Sequence, residues 1–126
     1  LVNRSAEKAE ELVQTFGDAR LRYVGETPET GAMQDAALVV NTTSLGMKGQ
    51  PPLAVNLSAL PDTATVHDIV YVPLKTDLLR QAVGRKLQVV DGLGMLLHQA
   101  VPAFEIFFGT RPEVDTGLRN YMLEAL

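Results

Sequence analysis

The apolar positions along the chain change period from block to block, and each change marks an element. In residues 5–16, Ala6, Ala9, Leu12, Val13 and Phe16 fall on one helical face, with Ser5 placed as N-cap and Gly17 as terminator. Residues 20–24 alternate and are rich in strand formers, which predicts a strand, and Leu1-Val2 reads as the end of another. A short helix is expected over 29–36. The compact run Ala36 to Val40 then suits a strand buried on both faces. A Gly- and Pro-rich loop occupies 42–52, and a further strand covers 63–71. After it come a helix over about 76–84, a strand from Leu87 to Val90, a long apolar helix over about 93–108 stopped by Gly109, and a last amphipathic helix after Pro112.

Strands alternating with helices predict an α/β fold with an open, doubly wound parallel sheet. Ligands of such sheets sit beyond the carboxyl ends of the strands. Three stretches lie just past a strand here: Asn3-Arg4-Ser5, the 41–49 loop, and Tyr71 together with Gly92–Gly94.

Length and composition narrow the class without changing this picture. The 126 residues are one domain's worth of chain, 46% apolar and 21% charged, which is the balance of a globular protein. A net charge of −4 with no basic stripe argues against nucleic acid as a partner. No apolar run approaches the ~20 residues of a membrane span, so no membrane partner is expected. Without Cys there is no disulfide framework and no Cys-based metal site or nucleophile. A cytoplasmic location is the default expectation.

Arg4 and Lys8 flank the start of the first helix, where cations oppose the macrodipole; a bound anion would reverse that sign. In dinucleotide folds an Arg after the second strand accommodates the 2′-phosphate of NADP, and an acid there accepts the 2′-hydroxyl of NAD. The alternative is that both cations are solvated and balanced by Glu7 and Glu11. Thr42, Thr43 and Ser44 offer donors in a loop whose Gly46 and Gly49 permit close approach, although an ordinary connecting loop has the same composition. Gly92 and Gly94 fall short of G-x-G-x-x-G and are read as a strand-to-helix turn where something planar passes near the backbone. Gln99 would be a buried amide unless it faces a ligand. A buried amide needs partners for its donors and acceptor, so a polar substrate is plausible. His67 and His98 are read as structural, Asp68 and Asp91 as turn caps, and the four Met as core filling, with Met95 set apart by its place after the glycine turn. No nucleophile with a base, no carboxylate pair and no metal-ligand spacing occurs, so no catalytic residue and no metal is assigned.

In order and with family-like spacing, "NRS", "NTTSLGM", "DIVYVPLKT", "DGLGMLLHQAVPAFEIFFG" and "RPEV" resemble the C-terminal half of the shikimate dehydrogenase family. The resemblance implies NADP as cofactor and reversible reduction of 3-dehydroshikimate to shikimate, on the pathway to chorismate and the aromatic amino acids. It implies a partial Rossmann-like sheet that lacks its first strand and glycine-rich loop. Residues 1–110 would be a partial NADP-binding domain, and 111–126 a helix returning to an N-terminal catalytic domain. The family's catalytic Lys and Asp lie in that domain, so the chain is expected to be a fragment, inactive by itself. Residue by residue, Asn3, Arg4, Ser5 and Lys8 match the segment around the adenosine 2′-phosphate, and Thr42, Thr43, Ser44 and Leu45 the loop along the cofactor. Ile69 and Gly92 match backbone contacts near the nicotinamide, Met95 a side chain packed on that ring, and Tyr71 and Gln99 the contacts to shikimate. Asp77, Phe108 and Thr42 depart from the family, which more often has Pro, Trp and Ala there. Two other readings stay open: a quinate/shikimate paralogue using NAD, and a nucleotide-binding module without a catalytic domain. An uncovered sheet edge and helix face would favour a homodimer.

Overall fold

The computed structural model describes residues 1–27 and 30–126, and the chain falls into two compact units. One consists of Leu1–Ala37 and Val55–Pro61, the other of Leu38–Ala54 and Asp62–Leu126.

In the first unit, α1 spans Ala6–Phe16 between Ser5, in extended conformation, and Gly17, whose φ of 60° turns the chain out of the helix. Its apolar stripe is as expected, yet only Ala9 is buried; Leu12 and Phe16 are exposed. A four-residue helix α2, Thr30–Met33, packs its end against a 3-10 turn at Leu57–Ala59. Met33, Leu57 and Leu60 are buried there. The start of the expected 29–36 helix lies outside the described residues. No strand forms over 20–24 or at Leu1-Val2. The two segments do touch: Val24 N–H donates to Leu1 O at 3.0 Å, and Asn3 N–H to Gly25 O at 3.2 Å. Those bonds do not keep one register, and Gly25, at φ +104°, turns the chain away before a ladder can extend.

The second unit is built on three parallel strands in the order β1-β2-β3: Leu38–Asn41, Thr65–Asp68 and Gln88–Val90. Leu38 aligns with Thr65 and Gln88, and Asn41 with Asp68. This is the parallel α/β arrangement read from the sequence, with strands shorter than expected. Helix α3, Asp77–Gly84, starts on Thr76 and packs on β2 and β3 through Leu78, Leu79 and Ala82. Helix α4, Gly92–Phe108, buries Leu93, Leu97 and Val101, one side of the helix at fourfold spacing. Together with Val66 and Val70 these residues form the core, each worth about 1.5–3 kcal/mol when fully buried. Helix α5, Thr116–Ala125, packs against α4. It begins later than the sequence suggests, because Asp115 supplies the cap: its Oδ1 accepts from Leu118 N at 2.7 Å.

β1 is not buried on both faces. Leu38 and Val40 are 56% and 40% exposed. They share their face with His67 and Val90, and Val90 is exposed as well, so this face is open at β1 and β3 and partly covered at His67. His67 is therefore only half-buried, and its Nε2 is enclosed without a hydrogen-bond partner among the described residues, contrary to the satisfied side chain expected.

Candidate functional site

Because the three strands are parallel, the loops that follow them leave the same edge of the sheet. The loop after β1 carries Thr42, Thr43, Ser44 and Leu45; that after β2 carries Ile69, Val70 and Tyr71; β3 leads through Asp91 into Gly92 and Met95. The second unit thus gathers the expected contacts that lie beyond α1 at one end of one sheet, with Gln99 further along α4.

Two buried side chains organise the first two loops, and neither was singled out in the sequence as a site residue. Asn41 ends β1 and is 3% exposed. Its Oδ1 accepts from Thr43 N at 3.0 Å and from Thr43 Oγ1 at 2.8 Å, and its Nδ2 donates to Leu45 O at 3.0 Å. Thr43 Oγ1 in turn accepts from Leu45 N at 3.1 Å. The Thr43 hydroxyl is therefore committed to shaping the loop, and Thr42, Thr43 and Ser44 all stand exposed. Asp68, fully buried, ends β2. Its Oδ1 accepts from Asn41 Nδ2 and from Val70 N, both at 3.0 Å, and its Oδ2 accepts from Thr76 Oγ1 at 2.6 Å. Thr76 Oγ1 also accepts from Leu79 N at 3.3 Å, capping α3. The turn-capping role expected for Asp68 is present and extended. An Asn and an Asp closing successive strands were the only sequence signal for this network.

Gly92 is the third fixed point. A Cβ built on it would lie 2.2 Å from Ile69 O and 2.7 Å from Val70 O. The chain's own backbone after β2 passes close to this glycine. Asp91 is the cap of α4 as read: its Oδ1 accepts from Leu93 N at 3.2 Å. Its Oδ2 pairs with the Arg119 guanidinium of α5 at 2.5 Å, a contact the sequence did not suggest.

Gln99 is exposed, not buried. It is two residues on from Leu97 and so sits on the far side of α4 from the buried stripe. His98, also exposed, lines a 210 Å³ cleft with Asp115 and Arg119, so it is not a core histidine. A larger, open cleft of 440 Å³ adjoins the loops after β1 and β2, bordered by Gly46, Met47, Lys48, Val72, Asp77 and Arg80. No expected contact residue borders either cleft. Met95 and Tyr71 are half-buried; of the other methionines, Met33 is core and Met47 is 40% exposed.

In the first unit, Asn3 Nδ2 donates to Ser5 O at 3.2 Å, and Tyr23 Oη donates to Asn3 O at 3.0 Å, fixing the entry to α1. The Ser5 side chain makes no cap hydrogen bond. Arg4 and Lys8 are exposed and form no ion pair among the described residues. The balancing by Glu7 and Glu11 is thus not a matter of direct contact. No described helix is long and apolar enough to cross a membrane.

Residues 92–126 match the shikimate 5′-dehydrogenase C-terminal domain. A shikimate dehydrogenase (NADP(+)) of Afipia carboxidovorans is 56% identical over 119 residues, covering 94% of this chain and 43% of that protein. Among solved structures, the shikimate 5-dehydrogenase of Thermus thermophilus in complex with NADP(H) and shikimate superposes with a TM-score of 0.73 at 32% identity, over 88% of this chain and 40% of that one. The quinate dehydrogenase of Corynebacterium glutamicum in complex with NAD gives a TM-score of 0.77 at 32% identity, over 96% and 43%. The chain spans less than half the length of the curated relatives it matches.

Proposed function

From the premise that the chain carries the C-terminal portion of the shikimate dehydrogenase family, we propose that it is the cofactor-domain part of an NADP-dependent shikimate dehydrogenase. The reaction is the reversible reduction of 3-dehydroshikimate to shikimate. The observation that carries the cofactor choice is the start of α1: two exposed cations without an ion pair among the described residues, beside a helix N-terminus whose cap hydroxyl is unused. That donor set fits a phosphate. Arg4 and Lys8, with Asn3 and Ser5, would hold the adenosine 2′-phosphate, and an acid suited to NAD is absent before Glu7.

The nicotinamide supplies or takes the hydride, as a redox cofactor does. The protein's share is binding and orientation. Exposed Thr42 and Ser44, and half-buried Leu45, would line the cofactor's path, and the backbone at Ile69 and Gly92 would bound the ring. Met95 would pack on the ring, while Tyr71 and Gln99 would donate to the substrate's hydroxyl and carboxylate oxygens. Gln99's exposure supports that role, since an amide turned away from the core is available to a ligand. No residue of this chain is assigned the proton transfer.

Helix α5 would dock on a catalytic domain: it buries no residue, and Tyr121 is 70% exposed. A cytoplasmic location, and pairing of two copies through the uncovered apolar surface, belong to the same reading. A second reading, a quinate-type enzyme using NAD, is favoured by the likeness to the quinate dehydrogenase. Fluorescence titration of the chain with NADPH and NADH decides between them. Tighter binding of NADPH, with no turnover of shikimate by the chain alone, is the expected result; equal or tighter binding of NADH would overturn the NADP assignment.

A further inference from the structure

We propose that Asp68 is a positioning residue that makes the loops after β1 and β2 one mechanical unit. The proposal rests on the cofactor reading of Thr42–Leu45 and goes beyond it, because no ligand contact is assigned to Asp68. A carboxylate deep in a protein is costly unless its oxygens are saturated with donors. This one has three donors and no ion pair among the described residues: Asn41 Nδ2 from β1, Val70 N from its own loop, and Thr76 Oγ1 from the cap of α3. All three side chains of the chain Asn41–Asp68–Thr76 are at most 3% exposed.

Each end of this chain sets a different part of the expected site. Through Asn41 it fixes Thr43 and Leu45, and with them the outward path of Thr42 and Ser44. Through Val70 N it fixes the residue before Tyr71. Through Thr76 it anchors the start of α3, where the loop carrying Tyr71 ends. A neutral acceptor in place of the carboxylate would make a weaker junction, since hydrogen bonds to a charged group contribute about 1.5–3 kcal/mol against roughly 1 for neutral pairs. The groups proposed to meet cofactor and those proposed to meet substrate are thereby held at one spacing.

The test is Thr76→Val, which removes one hydroxyl and keeps the side-chain shape, read by amide hydrogen exchange. Protection at Thr43, Leu45 and Val70 is expected to fall together by about tenfold or more, the size of a lost bond to a charged group. Thr76→Ser should restore it. Val66→Ala, which removes no hydrogen bond of this network, should lower sheet protection without singling out these three amides. Loss confined to the first turn of α3 in Thr76→Val would overturn the proposal. Should that variant not fold, Asp68→Asn is read in the same way: joint loosening of both loops supports the junction, and loosening at Val70 alone refutes it. Exchange needs no cofactor, so the result stands apart from the functional reading. If the unmodified chain binds no NADPH, that reading of the loop fails while the junction is still decided.

Discussion

Replacing Gly92 by Ala should destabilise the chain far more than the same change two residues later. The new Cβ would stand 2.2 Å from Ile69 O and 2.5 Å from Ile69 C, both backbone atoms held by the strand before them. Carbon–oxygen contacts settle at about 3.3 Å, so α4 and the segment after β2 must part by roughly 1 Å. Overpacking of that kind costs about 1–3 kcal/mol, at the upper end here because no flexible side chain can give way. Ala in place of Gly returns at most about 1 kcal/mol through helix propensity. The net loss is about 2 kcal/mol, which for a chain of this size lowers Tm by about 6–12 °C. At Gly94 a Cβ meets nothing within 4 Å, so Gly94→Ala keeps the propensity gain alone and should leave Tm unchanged or raise it. Thermal unfolding by circular dichroism of the two variants is the assay. Equal Tm values would refute the idea that backbone approach, not helix chemistry, demands glycine at position 92.

Arg4→Asp should weaken NADPH at least about tenfold and NADH little, as loss of a charge-assisted contact to phosphate requires; equal loss of both would make Arg4 a general surface charge. Gln99→Ala, at an exposed position, should change stability by no more than about 0.5 kcal/mol. In a full-length shikimate dehydrogenase carrying this chain as its cofactor domain, the proposed role requires it to raise KM for shikimate while sparing NADPH affinity; loss of both together would sink the substrate assignment. The Arg20 guanidinium, bonded to both oxygens of Asp18, holds that carboxyl below its usual range and is itself raised in return. A depressed folded pKa means the contribution is present above the ordinary Asp value and is lost as pH falls through the lowered one. NMR titration should therefore place the Asp18 midpoint below 3.8, and Arg20→Gln should bring it back; an unmoved midpoint would mean the pair does not persist in solution.

The helices were legible because their ends are written in local chemistry. Ser5 and Gly17 bracket α1, Thr76 opens α3, and Asp91 and Gly109 bracket α4. Strands were less so. Residues 20–24 have a strand's composition but no continuous partner, and β1 has the composition of a doubly covered strand on an edge. Pairing is a property of two segments, and no single stretch encodes it. The same limit applies to the candidate site. Its loops could be found by position after strands, while the Asn41–Asp68 bond joins residues 27 apart and depends on register. Whether Gln99 faces the core or a ligand stayed open in the sequence because α4 is apolar nearly all round, so hydrophobicity does not reveal which side faces inward.

The central place of β2 has a consequence for how the chain acquires its structure. Parallel neighbours cannot be joined by a tight turn, so Asn41 meets Asp68 only after a segment of 27 residues closes, at an entropic cost of about 3 kcal/mol. β2, α3 and β3 follow one another directly and α3 packs on both strands, so these three can condense first. β1 then adds to an edge that already exists. Phi-values near zero at Val39 and higher at Leu79 would show this order, and the reverse ranking would exclude it. During synthesis the apolar run Leu38–Val40 leaves the ribosome before its partner strand β2 exists. The segment that is made first is thus the one that must stay unpaired longest, an interval of exposure to misassociation set by topology.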